Sequence, residues 1–127
     1  MSEAIAAAGA ALPDLVTEIS NVFTYRNVSE TITKRCLCIP KAKNEAAVDA
    51  VLQPCTGLQI TRSRMHGFKA SGIRKLIDGL EDKANSNITL CVPSELFDDY
   101  PMQAVDGPLD SQKYSFQQFA IAIPINV

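Results

Sequence analysis

The chain has no apolar run long enough to cross a bilayer, which takes about 20 consecutive apolar residues. Its alanine-rich start has no basic region and carries Glu3, so it does not read as a secretory signal. No membrane partner and an intracellular compartment are expected. It also has little net charge, −2 at pH 7, so no overall attraction to nucleic acid or to a lipid surface follows. Metal-knuckle cysteine spacing is missing. Cys36, Cys38, Cys55 and Cys91 include only a lone Cys-x-Cys pair, which puts two side chains on one face of a strand. Three of them lie in apolar segments, where a free thiol behaves as a small hydrophobe. Reduced, buried cysteines and a non-secretory compartment are expected. The Asn-x-Ser/Thr matches at Asn27 and Asn87 are therefore read as chance, since their use would require secretion.

What is present is an ordinary globular composition. With 127 residues, 46% apolar and 20% charged, the chain supports one domain with one core. Within residues 1–127 we expect an N-terminal extension at 1–12, a helix and lead-in at 13–35, and a core at 36–125. Leu15, Val16, Ile19, Val22 and Phe23 recur at helical intervals, predicting a helix from Pro13-Asp14 to about Tyr25. Residues 31–40 alternate and are β-branched, predicting a strand stopped by Pro40. Further strands are predicted at 46–53 and 58–63, around a turn at 54–57.

Ile73, Leu76, Ile77 and Leu80 form an i, i+3, i+4, i+7 stripe, predicting a helix capped by Ser71. Residues 88–93, ITLCVP, form an unbroken apolar run, as in a strand covered on both faces. Ser94 then opens a short helix with Glu95 in its first turn, ending by Pro101. Residues 102–113 predict an exposed loop, and 119–125 a last strand that Pro124 confines to an edge or an end. The expected order is α-β-β-β-α-β-α-β. Consecutive strands imply antiparallel pairing and strand–helix–strand units imply parallel pairing, so a mixed central sheet in a three-layer α/β fold satisfies both.

Chemistry concentrates between residues 46 and 80. No Asp or Glu occurs from 50 to 77, while Arg62, Arg64, His66, Lys69, Arg74 and Lys75 all do. They read either as a solvated basic face or as a phosphate-binding face, with contacts that would be salt-sensitive and independent of sequence. Asp49 stands between Ala47-Val48 and Ala50-Val51. An acid there is expensive to bury unless paired, so it is either hydrogen-bonded to backbone or functional. Gln59 and Thr61 read as strand polars or as members of the same site. His66 is a loop histidine that is either solvated or a proton shuttle or phosphate partner.

These segments together resemble the C-terminal domain of Crinkler and retrotransposon hot spot proteins, a divergent branch of the restriction-endonuclease-like, PD-(D/E)xK, superfamily. The resemblance runs from about residue 36 to 125 in short pieces. They are Cys36-Leu37-Cys38-Ile39-Pro40, Asn44 with Ala47-Val48-Asp49-Ala50-Val51-Leu52, Leu58-Gln59-Ile60-Thr61, Met65-His66-Gly67-Phe68-Lys69, Leu90-Cys91-Val92-Pro93 with Phe97, and 116–124. Gly67 stands where the family has Pro, and Thr61–Arg64 is more basic than the family pattern. Larger members join this domain to a P-loop NTPase. No G-x-x-x-x-G-K-[ST] occurs in this sequence, so nucleotide binding of that kind is not expected, and the chain is expected to be either a stand-alone or an excised terminal module.

The resemblance implies a nuclease-like fold, nucleic acid as ligand, and nuclear, effector-like biology. Enzymes of the superfamily place an Asp and then Glu-x-Lys on neighbouring strands. Here Asp49 survives, while Gln59 and Thr61 occupy the other positions. A phosphodiesterase of this kind would use Mg²⁺ on Asp49, Gln59 as a neutral ligand or water-positioning group, and Lys69 to stabilise the pentavalent phosphate. Glu30 or Glu45 would make up the missing acid. DNA or RNA backbone would be held by Arg62, Arg64, His66, Arg74 and Lys75. The rival expectation is an inactive nuclease fold kept as an interaction or effector module. Its contact surfaces would be the loop 102–113 and an edge strand at 119–123 open to self-association. A structural, capsid-like assembly role is a third.

Overall fold

The computed structural model describes residues 6–7, 21–25, 36–40 and 48–123. The apolar run ITLCV is the centre of the fold. It forms most of β7 (Asn87–Pro93), with Ile88, Thr89, Leu90 and Val92 wholly buried. β7 is parallel to β5 (Thr56–Ile60) on one side and to β9 (Gln117–Ile123) on the other. A strand paired on both edges and covered on both faces has no solvated positions to alternate, which is why its sequence does not alternate.

From β5 the sheet continues through β4 (Ala50–Leu52), antiparallel to it, and β3 (Cys36–Pro40), antiparallel to β4. It ends at β2 (Asn21–Tyr25), parallel to β3. Beyond β9 lies β1 (Ala6–Ala7), so the order is β1-β9-β7-β5-β4-β3-β2. A separate pair joins β6 (Phe68–Lys69) to β8 (Val105–Asp106). The architecture is a mixed sheet with few helices, in the α/β class. Among the described residues no helix is long and apolar enough to cross a membrane.

Helix α1 (Ala70–Gly79) makes the crossover from β6 to β7 and buries Ile73, Leu76 and Ile77, with Leu80 just past its end. Each such side chain contributes about 2 kcal/mol of apolar burial. Leu76 lies directly over Gly57 of β5. A Cβ at Gly57 would come within 2.6 Å of Val48 Cγ1 and 2.9 Å of Leu76 Cδ2, so only a glycine permits this approach. The crossover is locked at its far end by buried Gln53. Its amide donates to the Gly79 carbonyl at 2.9 Å and its carbonyl accepts from Glu81 N–H at 2.9 Å. Helix α2 (Ser94–Phe97) follows β7 with Glu95 in its first turn.

Several expectations change. Asn21–Tyr25 is a strand, not the end of a helix; Val22, Phe23, Thr24 and Tyr25 are β-branched or aromatic, and pairing with β3 overrides a short helical pattern. Residues 13–20, and the helix expected there, lie outside the described residues, as do 31–35, 46–47 and Pro124. The strand expected at 46–53 narrows to β4, with Asp49 in a bend before it. The strand at 58–63 is β5, which starts and ends earlier and takes in Gly57. Ser71 lies inside α1; Lys69 holds the N-cap position without a side-chain cap. The edge expected at 119–123 is covered by β1 at Phe119 and Ala120. Residues 102–113 hold β8 and the buried Gln103, so they are not simply an exposed loop.

Candidate functional site

Asp49 and Gln59 meet at the end of the β4–β5 hairpin. The Asp49 N–H donates to the Leu58 carbonyl at 2.7 Å, which holds the acid against the end of β5. Its Oδ2 then accepts from the Ile60 N–H at 2.8 Å and from Gln59 Nε2 at 3.1 Å. The same Gln59 nitrogen reaches the Ile60 carbonyl at 3.4 Å. With acceptors on both sides, this amide turns its nitrogen to the carboxylate; its carbonyl oxygen there would face another oxygen. Ile60 stands in register with Cys91 of β7. Burial, and then the negative charge of Asp49, pushes the Cys91 thiol up from its ordinary 9.0 to about 11. The acid is thus exposed at the rim and bonded to backbone, and its charge is felt by a buried thiol.

The other expected members do not converge on it. Thr61 is buried; its N–H donates to the Cys91 carbonyl at 3.1 Å and its hydroxyl accepts from Ser63 N–H at 3.1 Å. Lys69 is exposed at the start of α1, in register with Asp106 in the separate β6–β8 pair, and both bonds on the Asp49 carboxylate come from Gln59 and Ile60 instead. Among the described residues no group of three or more His, Cys, Asp or Glu gathers around a common point. Glu30 and Glu45 lie outside the described residues.

The basic side chains are also dispersed. Because β5 stops at Ile60, Arg62 and Arg64 sit in the following loop and not on a strand face. Arg64 Nη2 donates to the Asp99 carbonyl at 2.7 Å, and Asp99 presents that carbonyl from a left-handed backbone, φ 57°. Arg74 Nη1 donates to the Pro108 carbonyl at 2.8 Å, while Lys75 is exposed on α1. His66 packs edge-to-face on Phe68, ring centres 5.9 Å apart.

What the structure adds is the construction of the loop from Thr61 to Gly67. Ser63 Oγ exchanges bonds with the N–H and carbonyl of Met65 at 3.1 and 3.0 Å. The wholly buried Tyr100 donates its hydroxyl to the Ser63 carbonyl. Burial pushes that hydroxyl's pKa up, against the opposite pull of Arg64's charge and a bond to Thr61. Gln103 is the larger clamp. Its carbonyl accepts from the N–H groups of His66 and Gly67, and its amide donates to the carbonyls of Arg64 and Pro101 at 2.9 and 2.8 Å. Gln118 holds the Gln103 backbone in turn, through bonds of 2.9 Å in both directions.

Neither Tyr100 nor Gln103 stood out in the sequence. A tyrosine before a proline and a glutamine in a loop acquire these roles only when two distant loops are brought together. No protein-family model, curated protein or solved structure matches the chain.

Proposed function

We propose that this chain is a restriction-endonuclease-type domain of the Crinkler and retrotransposon hot spot kind, working as a protein-interaction module and not as a nuclease. In this reading the rim acid has become a structural clamp. One observation carries it: Asp49 Oδ2 accepts from Ile60 N–H and from the Gln59 amide nitrogen. A Mg²⁺ site needs several oxygens directed at one point. Here one oxygen of the only carboxylate in the pair already accepts two hydrogen bonds, and its neighbour offers a nitrogen. Among the described residues, then, no set of oxygens is directed at one point as the ion requires.

The support from fold is the placement of Asp49 in the bend just before β4 and of Gln59-Ile60 at the end of β5, with Thr61 just past it, the two strands being adjacent and antiparallel. That is the arrangement the resemblance implies for Asp and Glu-x-Lys. The competing reading, a Mg²⁺-dependent phosphodiesterase gripping DNA or RNA backbone, draws on the acid-free stretch from 50 to 77. Arg64 and Arg74, however, donate to the Asp99 and Pro108 carbonyls from separate elements.

Incubation of the purified protein with plasmid DNA and with RNA, in Mg²⁺ and in Mn²⁺, separates the two. The expected outcome is no metal-dependent cleavage, and no heat of metal binding that Asp49→Asn removes. Cleavage that disappears in Asp49→Ala would overturn the interaction-module reading.

A further inference from the structure

Resting on that reading, we propose that the loop from Ile60 to His66 is the docking surface, and that its partner is an acidic protein segment carrying an apolar anchor residue. The first observation is rigidity with nothing inside to serve. Ordering loop backbone costs about 1–2 kcal/mol per residue. Here the backbone of Ser63, Arg64, His66 and Gly67 is tied down by Tyr100 and Gln103, both buried. Yet every side chain from Arg62 to His66 is exposed. The construction therefore organises groups that face outward, and a ligand would not have to order them on binding.

The second observation is what those groups are. Ile60 is 56% exposed and Met65 76%, the two most exposed large apolar residues among those described. In the sequence they stand on either side of Arg62 and Arg64, and Met65 adjoins His66. From Leu58 to Phe68 there is no Asp, Glu or Lys. Interface centres are enriched in Met and Arg and depleted in Lys, Glu and Asp, so this composition fits a protein partner better than a phosphate backbone. The segment's own charges, Arg62 and Arg64, are both positive, while Asp49 sits at its Ile60 end and Asp99 beside Arg64. The complementary segment therefore sets its acids against Arg62 and Arg64, away from Asp49. The exposed aliphatic surface calls for an apolar residue set among the acids. Gln103 does not touch the partner; it is a positioning residue that holds the loop in its presenting form.

The test uses fluorescence anisotropy with three labelled probes in EDTA. One is a short peptide of Asp and Glu with a central Leu, another is the same peptide with Ser for Leu, and the third is a single-stranded oligonucleotide of equal charge. Saturable binding of the Leu peptide is expected, tighter than that of either other probe. Arg62→Ala and Met65→Ser, both on the surface, should each weaken it about tenfold. Gln103→Leu should also weaken it while His66 and Gly67 amides lose protection from hydrogen exchange.

Absence of saturable peptide binding, or binding indifferent to Arg62→Ala and Met65→Ser, overturns the proposal. So does tighter binding of the oligonucleotide that the same variants abolish, which would assign the loop to nucleic acid. Dimerisation abolished by Met65→Ser would assign it to a second copy of the chain. Because metal is absent throughout, Asp49-dependent cleavage found separately would overturn the interaction-module reading without deciding this one.

Discussion

Two buried glutamines, each 5% exposed, serve opposite ends of the sheet and can be set side by side. Gln53 sits in the β4–β5 turn and bonds the carbonyl and N–H groups where α1 ends, at Gly79 and Glu81. Gln103 bonds Arg64, His66, Gly67 and Pro101 in the loops at the other end. Both use each end of the amide, as a buried amide must. What they hold differs. Gln53 follows the buried Leu52, and the two groups it bonds, at Gly79 and Glu81, flank the buried Leu80, so the bond network closes a packed unit. Around Gln103 the held segment turns its side chains outward. Identical chemistry therefore supports folding in one place and presentation in the other.

Breaking each clamp should expose that difference. Gln53→Leu removes the partners of two backbone groups at a helix end packed on the core, and about 3 kcal/mol of global stability should be lost in denaturant titration. Gln103→Leu removes partners from backbone lying near solvent, which water can replace. Its global cost should be about 1 kcal/mol, with the larger change local, as faster exchange at His66 and Gly67. Equal global losses would mean that the loop belongs to the core and that the contrast is unfounded.

Tyr100→Phe sharpens the comparison further, since it keeps the buried ring and removes only the hydroxyl's bonds to Ser63 and Thr61. It should cost about 1 kcal/mol or less and raise exchange in the same loop, not near Gly79.

The smallest effect concerns the rim acid. The Cys91 thiol loses its proton near 9.0 when unfolded and near 11 when folded. Between those values the folded state holds more protons, so stability falls as pH rises through that window. Asp49→Asn removes the second cause of the raised pKa, and the decline between pH 9 and 11 should become shallower in paired denaturation curves. An unchanged slope would separate Asp49 from Cys91.

The parts legible in the sequence were those set by local pattern. The stripe Ile73, Leu76, Ile77 and Leu80 announces α1, and ITLCVP announces a strand buried on both faces, because burial leaves its period in the side chains. The Asp49–Gln59 juxtaposition was half legible. Both residues were singled out, but the bond that turns the amide nitrogen toward the acid depends on how β4 and β5 register, which sequence does not display. Asn21–Tyr25 is a strand although its pattern continues a helical one, since Val22 and Phe23 satisfy either period over so short a span.

By itself, then, the amino-acid order determined the mixed α/β class, the core face of the crossover helix, and a stretch from 50 to 77 without acids. Tertiary structure alone decided that Gly57 must be glycine under Leu76, that the basic residues part company, and that Tyr100 and Gln103 build a loop some 40 positions earlier. The physical reason is range. Amphipathic period is written within a few residues, whereas the partner of a buried amide or hydroxyl is whichever polar backbone the fold delivers to it.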